Sequence, residues 1–158
     1  MNKNAIKKFA TEARRELISR VSQRALKYGI SDKEVGNLND DSVGGHLLSS
    51  TEKKQRGALI AQIKEKGYEQ VMEEVAYTWF NRLIAVRYME VNDLLPSRTR
   101  VLSSADGRAE PQIVTTPFDA VLDYTPAEQQ QIVNLKNDNK LDEAFRLLFL
   151  KQCAALGD

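Results

Sequence analysis

Cysteine and histidine are almost absent from this sequence, which has one of each, Cys153 and His46, in 158 residues. A single cysteine cannot form a disulfide within the chain, and chains without disulfides are typical of the reducing cytoplasm, where we expect this protein. A structural zinc site draws most of its four ligands from these two residue types. We therefore expect no bound metal and assign no role to His46.

Long apolar runs and a strong charge of one sign are also missing. No stretch approaches the roughly 20 apolar residues of a membrane-spanning helix. The first residues, Met1 to Lys8, are polar and basic, unlike a secretory signal. The 23 basic and 22 acidic residues leave a net charge of +1, which does not indicate a nucleic-acid partner. A chain of this length fits one domain, and we expect a single domain over 1–158 with no membrane partner.

Apolar residues recur every three or four positions over most of the chain, which is typical of amphipathic helices. Two helix starts carry capping signals, at Ser49–Glu52 and at Thr125–Glu128. Gly29 and Gly67 stand where the first and second helices stop. The pattern predicts helices over 3–28, 49–66, 68–92 and 141–156, and a further helix that begins at Thr125 and ends between Asn134 and Asn139.

The third predicted helix is apolar on more than one side. Its apolar residues fall on two faces, with Ala76, Phe80, Leu83 and Ile84 on one and Val71, Val75, Val86 and Met89 on the other. A helix of this kind usually lies in the centre of a fold. The sequence therefore predicts a mainly α protein, a multi-helix bundle around this central buried helix.

Extended signals are confined to residues 97–118. Arg100–Leu102 and Gln112–Val114 flank the turn pair Asp106–Gly107, which predicts a small β-hairpin. Residues 30–48, rich in Asn, Asp and Gly, are predicted to form an irregular connection, which is long for a loop and leaves open a mobile segment or a short helix around Ser31–Val35.

The run over 76–92 reads AYTWFNRLIAVRYMEVN. It resembles the amino-terminal region of adenine-specific DNA methyltransferases of the phage growth limitation (BREX) defence systems. Asn4–Ala10, Arg100–Leu102 and Glu143–Leu150 look like other segments of that family, so the resemblance covers essentially the whole chain. The residues of this signature that we single out are Trp79, Phe80, Asn81, Arg82, Arg87 and Glu90.

The resemblance implies a large enzyme that transfers a methyl group from S-adenosylmethionine to N6 of adenine in DNA, within a restriction-modification or phage-defence system. Such an enzyme needs a glycine-rich turn after a strand for the methyl donor, and a Pro-Pro-aromatic motif for the flipped adenine. Neither is in this chain, whose four prolines are isolated and whose pair Gly44–Gly45 follows no strand signal. In the family both motifs come later. We therefore expect a fragment with no catalytic residue and no cofactor of its own, packed in cis on the catalytic domain.

Basic residues are concentrated in the first helix. Between Met1 and Tyr28 there are eight basic and two acidic residues, an excess that could contact DNA phosphates. Phosphate binding requires the basic residues to be dense on one face of the helix. The candidate DNA-binding residues are Lys3, Lys7, Lys8, Arg14 and Arg15. A helical wheel spreads them, because Lys8 and Arg15 lie opposite the apolar stripe and the others flank it. A solvated helix surface is the alternative interpretation.

Arg87 falls on an apolar face of the third helix, with Glu90 one turn further on. A buried charge needs a partner, so this spacing predicts an internal ion pair, and Arg87→Ala is expected to lower the melting temperature markedly. The alternative is an arginine that reaches a neighbouring domain or DNA. The nearby aromatic residues are expected in the core rather than stacked on bases: Tyr77, Trp79, Phe80 and Tyr88.

Two other functions stay open. The chain could be a helical interaction module that recruits other defence proteins. It could also be a helix-turn-helix regulator with its turn at Lys66–Tyr68, although the next helix is too apolar to lie in a major groove.

Overall fold

The computed structural model describes residues 2–157, so the two ends of the predicted domain, Met1 and Asp158, lie outside the described residues. The elements in chain order are α1 (Lys3–Lys27), β1 (Ser42–Val43), β2 (His46–Leu47), α2 (Ser50–Lys66), α3 (Tyr68–Val91), α4 (Gln112–Thr115), a 3₁₀ turn (Pro117–Asp119), α5 (Pro126–Asn137) and α6 (Leu141–Ala155). The predicted mainly α fold with one small hairpin is confirmed. Within residues 2–157, no helix combines the length and apolar character that crossing a bilayer requires.

The long helices begin and end within two residues of their predicted bounds, because their caps are local. Ser49 Oγ accepts from the Glu52 amide at 3.2 Å, and the Ser49 amide donates to Glu52 Oε2 at 2.8 Å. Thr125 and Glu128 make the same reciprocal pair at the start of α5, at 3.2 and 2.9 Å. Both predicted capping boxes are therefore confirmed.

The β-hairpin lies at a different place from the predicted one. Strands β1 and β2 pair antiparallel inside the segment that was predicted to be irregular. Gly44 and Gly45 connect them with φ of 55° and 81°, the left-handed values that a two-residue hairpin turn requires at both positions. The glycine pair therefore acts as a turn and brings His46 next to the start of α2.

The predicted hairpin around Asp106–Gly107 is wrong. Its second half begins α4, which starts at Gln112. Its first half cannot form a ladder, because the amides of Val101 and Leu102 are bound by the carboxylate of Glu90. A side chain from α3 thus replaces the partner strand.

The described residues form two compact units, which divide between Asn81 and Arg82 inside α3. The single domain over 1–158 stays a prediction. In the first unit, α1, α2 and the start of α3 share a core with the loop after α1. Its buried members are Ala25, Ile30, Ile60, Ile63, Val71 and Met72.

In the second unit, α6 packs against both α4 and α5. Phe145 and Phe149, one turn apart on α6, stack with ring centroids 5.6 Å apart. The buried apolar residues of these three helices are Ile113, Val114, Ile132, Ala144, Leu148, Phe149 and Cys153.

Helix α3 buries one side and exposes apolar residues on the other. In the first unit Ala76 is buried and Tyr77 is exposed, and in the second unit Val86 is buried and Tyr88 is exposed. The prediction that Tyr77 and Tyr88 belong to the core is therefore wrong. The buried side takes residues from both apolar faces read from the sequence, Ala76 from one and Val71 and Val86 from the other, whereas the exposed Tyr77 and Tyr88 belong to neither.

Candidate functional site

The amino-terminal end of α1 is an exposed, positively polarised surface. Asn2 caps the helix, and its side-chain oxygen accepts from the amides of Asn4 and Ala5 at 3.1 and 3.2 Å. The first turn has no acidic residue and begins with Lys3. Because the helix dipole places partial positive charge at this end, lysines here add to a favourable field for anions.

Three of the five candidate basic residues share one strip of α1. Lys7, Lys8 and Arg15 line it together with Asn4, Thr11 and one acidic residue, Glu12, and we call these six residues the α1 basic strip.

Ion pairing leaves most of that charge available. Lys8 pairs with Glu12 at 3.9 Å, and both side chains are largely exposed, so this pair is weak. Within residues 2–157, no ion pair joins Lys3, Lys7 or Arg15 to a carboxylate.

Arg14 lies apart from the strip and is paired. Its Nη2 lies 2.9 Å from Glu73 Oε1 of α3. The two side chains border a groove of about 400 Å³ between α1 and α3, which Ala10, Tyr77 and Phe80 also line. The candidate set is thus divided, because Arg14 already has a carboxylate partner while Lys7 and Arg15 face solvent.

The other signature residues do not form one cluster. In the first unit, Trp79 and Phe80 are half-buried and Asn81 is exposed. In the second unit, Arg82 is half-buried, Glu90 is buried and Arg87 is exposed. Two of them, Arg87 and Glu90, are in direct contact.

The charge that α3 buries in the second unit belongs to Glu90 and not to Arg87. Arg87 Nη1 donates to Glu90 Oε1 at 2.6 Å, as the helical spacing predicts. The side chain of Arg87 is 51% exposed and that of Glu90 is 1% exposed, so the prediction of a buried arginine is wrong. The long arginine stem lets the guanidinium reach water, whereas the shorter glutamate remains inside.

Glu90 binds the segment after α3. Its carboxylate accepts from the amides of Val101 and Leu102, each at 2.7 Å, and from Ser103 Oγ at 2.5 Å. Burial raises the pKa of Glu90, but the hydrogen bonds from Leu102, Ser103, Val101 and Arg87 outweigh it and hold the pKa below its usual value. A charged carboxylate therefore anchors residues 101–103 to α3. The sequence did not predict these partners, because they lie more than ten residues from Glu90.

A second buried charge, Arg56 of α2, was also missed. Its side chain is 2% exposed. Nε donates to the carbonyl of Tyr28 at 2.8 Å, Nη1 to that of Asn37 at 2.5 Å, and Nη2 to Asp40 Oδ2 at 3.2 Å. One guanidinium thus anchors the loop between α1 and β1. One signal in the sequence could have revealed it. Arg56 lies four residues before Ile60, on the same side of α2, so a cation falls among apolar residues.

Gly36 lets that loop pass close to Arg56. Its φ is 68°, and a Cβ added there would lie 2.3 Å from Arg56 Nη2. A side chain at this position would therefore both strain the backbone and collide with the guanidinium.

His46, to which no role was assigned, touches the start of α2. Its Nε2 lies 3.2 Å from Glu52 Oε1. Hydrogen bonds from the Ser49 amide and then from His46 lower the pKa of Glu52 to about 2. Across residues 2–157, no three His, Cys, Asp or Glu residues lie together as a metal site would require.

The junction between α2 and α3 differs from a helix-turn-helix motif. Only Gly67 separates the two helices. The motif instead uses a turn of about three or four residues. This geometry gives no support to the regulator alternative.

The chain is similar to part of two known methyltransferases. Two curated proteins match 99% of this chain, and both are named adenine-specific methyltransferases. One is PglX of Lacticaseibacillus casei (strain Zhang), 34% identical over an alignment of 178 positions. The other is BrxX of Escherichia coli O9:H4 (strain HS), 33% identical over 168 positions. No protein-family model matches the chain.

The match covers a small part of each relative. The chain spans 15% of the length of PglX and 14% of the length of BrxX. The resemblance read from the sequence is confirmed: the chain is similar to an amino-terminal region of methyltransferases of this kind.

Proposed function

We propose that this chain is the non-catalytic, amino-terminal helical domain of an S-adenosylmethionine-dependent DNA adenine-N6 methyltransferase of a phage-defence system. The similarity to PglX and BrxX carries the proposal, since it extends over 99% of this chain but only 14–15% of those proteins. The domain packs on the catalytic domain of the same polypeptide. The parent enzyme's cofactor is S-adenosylmethionine and its substrate is DNA.

The absence of catalytic motifs from the sequence supports a non-catalytic role. The chain has no Pro-Pro pair with which to hold a flipped adenine. Methyl transfer therefore requires residues outside this segment.

Methyl transfer to unmodified DNA tests this role. The 158-residue chain and the parent polypeptide are each incubated with DNA and labelled S-adenosylmethionine, and N6-methyladenine is measured. We expect methylation by the parent polypeptide and none by the chain. Methylation by the chain alone, or none by the parent polypeptide, would contradict the proposal.

The α1 basic strip is our candidate for DNA contact within that enzyme. Lys7 and Arg15 have no carboxylate partner among the described residues, and Lys8 has a weak one. Lys3 precedes the strip at the positive end of the helix. These side chains suit phosphate contacts, which position a protein on DNA without reading its sequence.

Salt dependence of DNA binding by the parent enzyme tests the strip. Replacing Lys7, Lys8 and Arg15 by alanine is expected to weaken binding to all sequences alike. Each lost phosphate contact makes the negative slope of log K against log salt shallower by about 0.9. The matched control replaces three other exposed lysines of the same unit, Lys33, Lys54 and Lys64. Equal slopes for the two triple variants would show that the strip makes no phosphate contact.

A protein-interaction role is the second candidate. The exposed apolar residues of α3, such as Tyr77 and Tyr88, favour it. It can coexist with the first role. Failure of the chain to bind DNA at low salt, together with binding to another defence protein, would favour a scaffold over a DNA clamp.

A further inference from the structure

The last two turns of α3 carry an uncovered apolar stripe. Ile84, Tyr88 and Val91 are 46%, 63% and 61% exposed. They are spaced by four and three residues, so their side chains lie along one side of the helix. We call these three residues the outer stripe. All belong to the second unit.

The opposite side of the same two turns is buried. Val86 and Glu90 are buried, and Glu90 holds residues 101–103. Single exposed apolar residues are ordinary on a protein surface, but three in helical register on a helix with a buried opposite side are typical of a helix covered on both sides. The chain supplies the cover for one side only.

The missing cover has an evident source. The relatives that match 99% of this chain extend over six to seven times its length. We propose that the outer stripe is the surface on which the remainder of the methyltransferase packs, within the same polypeptide. This inference rests on the proposed function and gives the cis contact a location.

The size of the stripe favours a linked occupant over a second copy. A stable dimer buries on the order of 800 Å² on each partner, more than three side chains offer. A domain joined through the chain needs less contact, because the linkage gives it a high effective concentration. The complementary surface is apolar, with a hydrogen-bond acceptor for the phenol of Tyr88. Arg87, exposed beside the stripe, matches an acidic group at its rim.

The test measures binding in trans between the 158-residue chain and the remainder of the parent enzyme by isothermal titration calorimetry, at up to about millimolar concentration, which matches the effective concentration that the chain linkage provides. The double variant Ile84→Asp, Tyr88→Asp is expected to bind at least about tenfold more weakly, since charges would enter an apolar contact. The control, Val121→Asp, alters a residue of the same unit that is 87% exposed and is expected to bind like the unaltered chain. Circular dichroism confirms that both variants are folded.

Three outcomes would overturn the docking surface. The double variant could bind as tightly as the unaltered chain. The unaltered chain could fail to bind the remainder even at about millimolar concentration. The chain could instead form a dimer that the double variant abolishes, which would make a second copy the occupant. The proposed function is judged separately, by adenine methylation with the intact parent enzyme, so it can stand when the docking surface fails.

Discussion

Two loops of this molecule are anchored in opposite ways. In the first unit a buried cation, Arg56, donates to the carbonyls of Tyr28 and Asn37. In the second unit a buried anion, Glu90, accepts from the amides of Val101 and Leu102. Irregular backbone has no ladder to satisfy its polar groups, and leaving them unpaired inside a protein is costly. The sign of the buried charge therefore depends on which backbone groups the loop turns inward: carbonyls require a cation and amides require an anion.

The two anchors differ in how they respond to their surroundings. An arginine stays protonated at any pH at which the protein folds, whereas a glutamate can be protonated. Arg56 also has a glycine packed against it, while Glu90 has a half-exposed arginine beside it. The first anchor is therefore sensitive to shape and the second to pH.

Removing Arg56 is expected to have the largest effect. Arg56→Met removes the donor to the Tyr28 carbonyl and one of two donors each to the Asn37 carbonyl and Asp40 Oδ2, and losing these three charge-assisted hydrogen bonds costs roughly 3 to 5 kcal/mol in the free energy of unfolding. Urea unfolding measures the loss, and hydrogen exchange should accelerate over 29–40. The control, Arg56→Lys, keeps the charge but not the three-way fork, so an intermediate loss is expected. If both variants unfold like the natural chain, Arg56 is not the anchor of this loop.

Glu90→Gln is the corresponding change in the second unit. Glutamine has the shape of glutamate but lacks the negative charge that accepts hydrogen bonds from Val101, Leu102, Ser103 and Arg87. We expect the free energy of unfolding to fall by about 2 to 3 kcal/mol. Hydrogen exchange should accelerate at 101–104 and stay unchanged at 29–40. Acceleration in both loops would show that the two anchors do not act independently.

Acid should weaken the Glu90 anchor and so distinguish it from the Arg56 anchor. The folded pKa of Glu90 lies below its unfolded value of about 4.3, so its contribution is complete above that value and is lost as pH falls through the folded pKa. Urea unfolding between pH 7 and pH 3 should show the natural chain converging on Glu90→Gln. A constant gap between the two proteins would mean that Glu90 does not titrate in this range.

Gly36→Ala tests how closely the loop packs against Arg56. We expect the free energy of unfolding, measured in urea, to fall by roughly 1 to 3 kcal/mol. Gly44→Ala is the matched control, since its φ of 55° is also left-handed but nothing lies within 4 Å of the added Cβ. Its cost is about 1 kcal/mol, from the backbone alone. The additional cost at Gly36 should disappear in the Arg56→Met background, and an unchanged cost there would exclude the contact as its cause.

Arg87→Ala should have the smallest effect, about 1 kcal/mol or less, because the half-exposed guanidinium is only one of four donors to Glu90. This replaces the marked loss expected from the sequence. Thermal unfolding beside Glu90→Gln gives the comparison. A loss equal to that of Glu90→Gln would restore Arg87 as the principal partner.

The sequence predicted the helices well and the site in part. The capping boxes at Ser49 and Thr125 were readable because both partners lie three residues apart. The hairpin was placed wrongly because Asp106–Gly107 and Gly44–Gly45 are both plausible turns. The choice between them depended on the distant carboxylate of Glu90.

The candidate basic set was also only partly resolvable from the sequence. A helical wheel places Lys8 near Arg15 and Lys7 near Arg14, but it cannot show that Arg14 meets Glu73 across a groove. Arg56 escaped notice because its partners lie 16 to 28 residues away.

By itself, the sequence determined the helix bounds, the caps and the resemblance to adenine-specific methyltransferases, because each depends on residues close together along the chain. Only the tertiary structure decided which charges are buried, which loop forms the hairpin and which side of α3 is left open. Those outcomes depend on burial and on hydrogen bonds between distant segments, whose free energies exist only once the chain has folded.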